Sequence, residues 1–425
     1  MGSRRVPEVR FEGFSREWEV WAVGDIFEII DGDRGKNYPG ESDFLSKGST
    51  LFLDTGNVKK DGFLFNTQKY ISKERDVLLR NGKLLLNDFV LTSRGTLGNI
   101  AFYNENIAKK YPSVRINSAM LILRSKYKNQ ISNSFLLSVL RGNVIKKFMK
   151  TNYVGSAQPH ITKKEFSEVK IYIPKNLKEQ EKIGYFFKQL DETIAIQQQE
   201  LDTLKQTKQG FLQKMFPKEG ESIPEIRFPG FSGEWEEVRL GERAIIKGRL
   251  GWKSLKQEEY ISEGPCMIAG RHIKDGEVQW EQVDHIPQWR YDESPEIMLQ
   301  NGDIIFSKDG SLGNPALILN LNCLATINST MMLIRVNKTI EPLFFYQIMR
   351  SEKFDRLIYL KVSGSSIPHL FQADMNDFVF LSPIKEEQTQ IGNFFKQLDE
   401  TIALHEQELD ILKQTKKAFL QKMFV

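Results

Sequence analysis

Residues 179–216, EQEKIGYFFKQLDETIAIQQQELDTLKQTKQGFLQKMF, return as residues 387–424, EQTQIGNFFKQLDETIALHEQELDILKQTKKAFLQKMF, at a constant offset of 208. The copies agree at 29 of 38 positions, while the text between them diverges strongly. The chain keeps two near-identical struts and varies what they carry. A duplicated chain of this kind can present two similar faces to a two-fold target.

Periodicity makes the struts helices. In the first, Ile183, Phe187, Leu190, Ile194, Gln197, Leu201, Leu204, Lys208, Phe211 and Met215 follow steps of four and three. In the second the same positions hold Ile391, Phe395, Leu398, Ile402, His405, Leu409, Leu412, Lys416, Phe419 and Met423. This is an a/d seam over several heptads without an internal proline. Each strut would be about 57 Å long at ~1.5 Å per residue. Two helices related by duplication pair most naturally antiparallel, as isologous partners do. Gln197 and His405 would then fall near the middle and specify register.

The stretches before each strut are diverged copies too. VPEVRFEGFSREWEVWAVGD at 6–25 matches IPEIRFPGFSGEWEEVRLGE at 223–242, and INSAMLILR at 116–124 matches INSTMMLIR at 327–335. LLLNDFVLTS, AMLILRS, IIFSKDG and VKIYIP read as strands, whereas 133–150 and 342–360 read as one or two helices each. The expected fold class is α+β. Two mixed α/β domains, 1–178 and 217–386, are each followed by a long helix, 179–216 and 387–425. The two helices would form an antiparallel coiled coil with pseudo-two-fold symmetry.

Enzyme signatures are missing. There is no GxxxxGK[ST] phosphate loop, no GxGxxG opening a helix, no NPPY-type segment and no GxSxG. The five histidines, His160, His272, His285, His369 and His405, lack metal-ligand spacing, and Cys266 and Cys323 form no CxxC pair. No catalytic residue, metal or bound cofactor is therefore expected. Net charge is only +4, so charge alone does not announce nucleic acid. No apolar run approaches a membrane span and the start carries no signal-peptide core, so a bacterial-type cytoplasmic protein is expected.

What remains is a set of Gly-rich polar loops. Arginine and lysine fork onto guanine edges and asparagine onto adenine, while hydroxyl and backbone N–H groups hold phosphates. The candidates at 31–38 are Arg34, Lys36, Asn37 and Tyr38; their counterparts at 247–253 are Arg249, Trp252 and Lys253. The alternative is a surface turn whose glycines serve only backbone geometry. That the loops differ where their scaffolds agree favours two surfaces reading different sequences. SRGTLGN at 93–99 pairs with KDGSLGN at 308–314, and GSAQPH at 155–160 with GSSIPH at 364–369. Ser93, Arg94, Thr96, Lys308 and Ser311, with Ser156 and Ser365, could line phosphate-binding concavities; tight turns fit these loops equally well.

The order domain, EQxxIGxFFKQLDETIA…LKQTKxxFLQKMF helix, domain, same helix is similar to the specificity subunit of type I restriction–modification systems. The likeness spans essentially the whole chain; the [VI]PE[VI]RFxGFSxEW openings and the DGDRGKNYP and GRLGWK segments share it. It implies a non-catalytic subunit with two target recognition domains, each binding half of a split double-stranded DNA site. It further implies that the paired helices set the spacing of the half-sites. Two modification subunits carrying S-adenosylmethionine and methylating adenine would dock on it. Motor–nuclease subunits using ATP and Mg would join for cleavage. A protein-only interaction scaffold, or a stand-alone methyltransferase or nuclease, are the competing expectations.

Overall fold

A computed structural model describes residues 6–127, 130–152, 160–250, 255–362 and 368–425. The chain divides into two compact units, and they do not follow chain order. One comprises residues 1–198 with 407–425, the other residues 199–406.

The first unit is built on a four-stranded antiparallel sheet ordered Phe27–Asp31, Met120–Ser125, Phe89–Thr92, Ile100–Phe102. Successive side chains of a strand point to opposite faces. Phe89, Leu91, Leu121 and Leu123 accordingly enter one core with Phe135, Leu136 and Val139 of helix Asn133–Val139. Val90, Met120 and Ile122 enter a second core on the other face. There they meet a three-stranded sheet, Tyr70–Ile71, Thr50–Leu53 and Val114–Ile116, whose last two strands run parallel. Burial on both faces is why these strands read as apolar runs rather than as alternating patterns.

The second unit repeats the plan with Ala244–Gly248, Met331–Val336, Ile304–Ser307 and Gly313–Leu317. Ile304, Phe306, Met332 and Ile334 face one core, and Ile305, Met331 and Leu333 face the other. Its small sheet is Asp284–His285, Ile261–Ile268 and Ala325–Ile327. The helical stretch 133–150 is interrupted: Asn133–Val139 passes through a wide turn at 140–144, where Gly142 leaves helical geometry, into Ile145–Asn152. The second unit has two separate helices there, Pro342–Ile348 and Glu352–Val362.

The struts are single helices of 38 residues each, Leu177–Lys214 and Lys385–Lys422. In the first unit the beginning of the first strut lies beside the end of the second, with Phe186 and Phe419 ring centroids 5.0 Å apart. In the second unit Phe211 and Phe394 are 5.1 Å apart, again end against beginning. The pairing is antiparallel. Ile183, Phe187, Leu201, Ile391, Phe395 and Leu409 are buried, and Leu190, Ile194, Leu204, Leu398, Ile402 and Leu412 half-buried, while Gln199 and Gln407 are exposed.

Each strut is anchored at its first turn by a buried glutamate. Glu179 accepts from the Arg10 guanidinium at 2.6 and 2.8 Å and from Trp18 Nε1 at 3.2 Å. Glu387 accepts from Arg227 at 2.7 Å through both oxygens. Arginine supplies the paired fork that a buried carboxylate requires, and the helix N-terminus favours the anion. The repeated PE[VI]RF opening thus supplies the arginine that closes each domain onto its strut.

Candidate nucleic-acid interface

The 31–38 loop leaves the edge strand Phe27–Asp31. Gly32 is required there, because a Cβ would come 2.0 Å from the Asn117 carbonyl oxygen. Asp33 is buried and accepts from the N–H groups of Gly35 and Arg80, both at 2.6 Å. Burial works against its charge, but these backbone donors, that of Asn81 and the Arg80 cation prevail and hold it below the usual carboxylate range. The loop is therefore braced from inside. Arg34 and Lys36 are exposed, with Arg34 Nη2 3.2 Å from the Ser118 carbonyl. Asn37 instead donates to the Leu78 carbonyl at 3.2 Å, and Tyr38 packs edge-on against Phe52 at 5.8 Å. Of the four sequence candidates, Arg34 and Lys36 are the two exposed to solvent, and Arg34 Nη2 also lies 3.5 Å from Asp31 Oδ1.

The second loop is arranged differently. Arg249 is only 3% exposed. Its Nε donates to the Ile327 carbonyl at 3.1 Å and its Nη1 pairs with Glu293 at 3.3 Å. Burial, only partly countered by Glu293, depresses its pKa. This guanidinium ties a strand end to the domain interior and, unlike the exposed fork expected of a base-reading Arg249, is not presented to solvent. Trp252 and Lys253 lie outside the described residues, as do Ser156 and Ser365.

The 93–96 and 308–311 loops occupy equivalent places. Ser93 N–H donates to the Ala119 carbonyl at 2.8 Å, and Lys308 N–H to that of Thr330 at 2.9 Å. Ile161 N–H returns to the Ser93 carbonyl, and Leu370 N–H to that of Lys308, both at 2.9 Å. Each loop is thus stitched to the segment entering its strut. Ser93 is buried, leaving Arg94 and Thr96 outside; Ser311 is exposed; Lys308 Nζ lies 3.0 Å from Asp309. Asp309 also bonds His369 Nδ1.

Sequence reasoning missed a repeated triad. Lys208 of the first strut pairs with Asp399 of the second, which also holds Arg350 at 3.2 Å. In the other unit Lys416 of the second strut lies 2.6 Å from Asp191 of the first, which holds Arg141 at 3.0 Å. The signal was available, as a lysine at matching seam positions of both copies. Among the described residues no helix is long and apolar enough to cross a membrane, and no cluster of three or more His, Cys, Asp or Glu could hold a metal ion.

Two duplicated α/β units, each bearing exposed polar loops and joined by near-identical paired helices, define a bipartite recognition architecture. The family model described as type I restriction modification DNA specificity domain matches residues 15–206 and again 232–414. The chain belongs to that family. It is 24% identical over 432 residues to the type I restriction enzyme MjaVIII specificity subunit of Methanocaldococcus jannaschii, covering 99% of this chain and 93% of that one. The fold is similar to the crystal structure of the type I restriction–modification S subunit from M. genitalium, with a TM-score of 0.64, 14% identity and 99% of both chains covered. It is also similar, at a TM-score of 0.54 and 17% identity over 96% of this chain and 97% of the other, to a chain from a structural study of complex assembly and conformational transition of the type I R–M system.

Proposed function

We propose that the chain is the target-reading, non-catalytic subunit of a type I restriction–modification complex acting in the cytoplasm. Each unit reads one half of a split duplex DNA site. Two modification subunits bring S-adenosylmethionine and methylate adenine, and motor–nuclease subunits bring ATP and Mg. The chain itself carries no cofactor. The recognition domains are taken as 1–178 and 217–386, and the spacer helices as 179–216 and 387–425.

The observation that carries this reading is the duplicated scaffold with unlike loops. Matching strands deliver exposed Arg34 and Lys36 in one unit, while the corresponding place in the other holds an interior arginine. Two equivalent frames with unlike loops suit two different half-site sequences. The test is a methylome of cells expressing this chain with its modification subunit. Methylation at a two-part sequence with an unspecified middle supports the reading. Grafting residues 31–38 from a relative should change one half only. Methyl transfer by the purified chain alone, or methylation without a two-part sequence, would overturn it.

A further inference from the structure

In the first unit two helices flank the 93–96 loop. Helix Ile145–Asn152 starts against it: Gly98, at φ +83°, would bring a Cβ to 2.7 Å from Ile145 Cγ2, so a side chain there would push the two apart. Helix Lys163–Ser167 is tied to the other side through the Ile161 to Ser93 hydrogen bond. Beneath, the rings of Phe148 and Phe166 join the helices at 5.7 Å. Above, Lys146, Lys147, Lys150, Lys163, Lys164 and the loop's Arg94 are all exposed. None of the six enters an ion pair among the described residues.

The second repeat provides an internal control. Aligned through Arg141 with Arg350 and through GSAQPH with GSSIPH, the same positions hold Asp355, Arg356, Tyr359, Gln372 and Ala373, with Asp309 in place of Arg94. Cations near that face are neutralised: Arg356 by Glu219, Lys361 by Asp374 at 2.6 Å, Lys308 by Asp309 at 3.0 Å. Tyr359 and Phe371 are exposed there instead. Six exposed cations, with Glu165 of helix Lys163–Ser167 the acidic residue among them, leave this part of the first unit net positive, and a polyanion bound there both relieves the repulsion and releases its own condensed counterions. Lysine is a compact, strongly hydrated point charge of the kind that contacts phosphate oxygens.

We propose that this face of the first unit grips the sugar–phosphate backbone of duplex DNA, giving a sequence-independent hold that has no counterpart on the second unit. The inference rests on the DNA-reading role proposed above.

The test uses the full chain assembled with its modification subunit, titrated at several salt concentrations with a duplex carrying its methylated target and with an unrelated duplex. In the variant, Lys146, Lys147, Lys150, Lys163 and Lys164 become Gln. The slope of log affinity against log salt should become shallower by about 3–4.5 units on both duplexes, since each lost phosphate contact removes ~0.9. The methylated sequence should stay the same. Lys353→Gln with Arg356→Gln should change the slope by less than about one unit. In the unaltered assembly the five lysines should also lose reactivity toward an amine-acylating reagent when DNA is bound. A sequence-selective assembly whose slope and lysine reactivity are unchanged overturns the cationic face alone. An unaltered assembly that shows no sequence selectivity overturns the DNA-reading role, and the face with it.

Discussion

Lys208 and Asp399, one from each repeated helix, form an ion pair in which the lysine is almost fully buried. Arg350 shares the carboxylate, so one anion neutralises two cations. Removing the anion leaves both cations unpaired, whereas removing the lysine leaves Asp399 still paired with Arg350. Asp399→Ala should therefore cost about 3–5 kcal/mol, and Lys208→Met far less, because an apolar chain of similar length can replace a buried charge at little net cost. Urea denaturation of both variants decides the matter, and equal losses would contradict the shared-anion account.

The same lysine makes stability depend on pH. Burial first, and then the Arg350 cation, hold it below the ordinary lysine value of 10.5, against the opposing pull of Asp399. Between its folded value and 10.5 the unfolded chain binds more protons at this position than the folded one. Stability contributed by this site therefore rises as pH increases through that interval. Unfolding midpoints measured from pH 8 to 10.5 should climb relative to those of Lys208→Met. Parallel curves for the two proteins would remove the lysine from the explanation.

The seam is tested by truncation. Leu201 and Leu409 occupy matching positions, both only 4% exposed. Alanine at either should cost about 2–5 kcal/mol. Alanine at Gln199 or Gln407, exposed on the opposite flank, should change stability by no more than about 0.5 kcal/mol. Equal sensitivity at all four sites would mean that the two helices do not meet along this stripe.

Arg34 and Arg249 should separate stability from recognition. Arg249→Ala removes a buried donor to the Ile327 carbonyl and should destabilise the second unit by about 1–3 kcal/mol. Arg34→Ala removes an exposed side chain and should leave stability intact. If Arg34 forks onto a guanine, the same change should weaken discrimination in one half-site by about 1–3 kcal/mol. Melting curves together with binding to half-site variants measure both. A stability loss at Arg34 and none at Arg249 would reverse the assignment.

The contrast between these two arginines shows what the amino-acid order could and could not reveal. The helices were legible because a heptad stripe is a local pattern, and the sheets because apolar runs end at Gly, Asn and Pro. The fate of Arg249 was not, since its partners Ile327 and Glu293 lie 78 and 44 residues away and only the folded sheet brings them near. For the same reason Lys208 reads as a polar interruption until Asp399, 191 residues on, is placed beside it. The lysines at 146–150 and 163–164 were readable from the sequence, but their meaning needed the second unit, where Asp355, Tyr359, Gln372 and Ala373 replace four of them and Arg356, the one cation kept, pairs with Glu219.

The two cysteines should differ in reactivity. Cys266 and Cys323 are 57 residues apart in sequence, yet their Sγ atoms lie 3.5 Å apart in the second unit. Burial, then the hydrogen bond and charge of the neighbouring sulfur, push the Cys266 thiol up to about 12. The thiolate is the nucleophile, so at pH 8 Cys266 is both protonated and enclosed by the strand Ile261–Ile268 and its neighbours. Cys323 is half-exposed. Native chain treated with iodoacetamide at pH 8 should take up one adduct, on Cys323, and unfolded chain should take up two. The Cys323→Ser variant should take up none while folded. Intact mass and peptide mapping read the result, and rapid native modification of Cys266 would show that the thiol pair is open to solvent rather than enclosed.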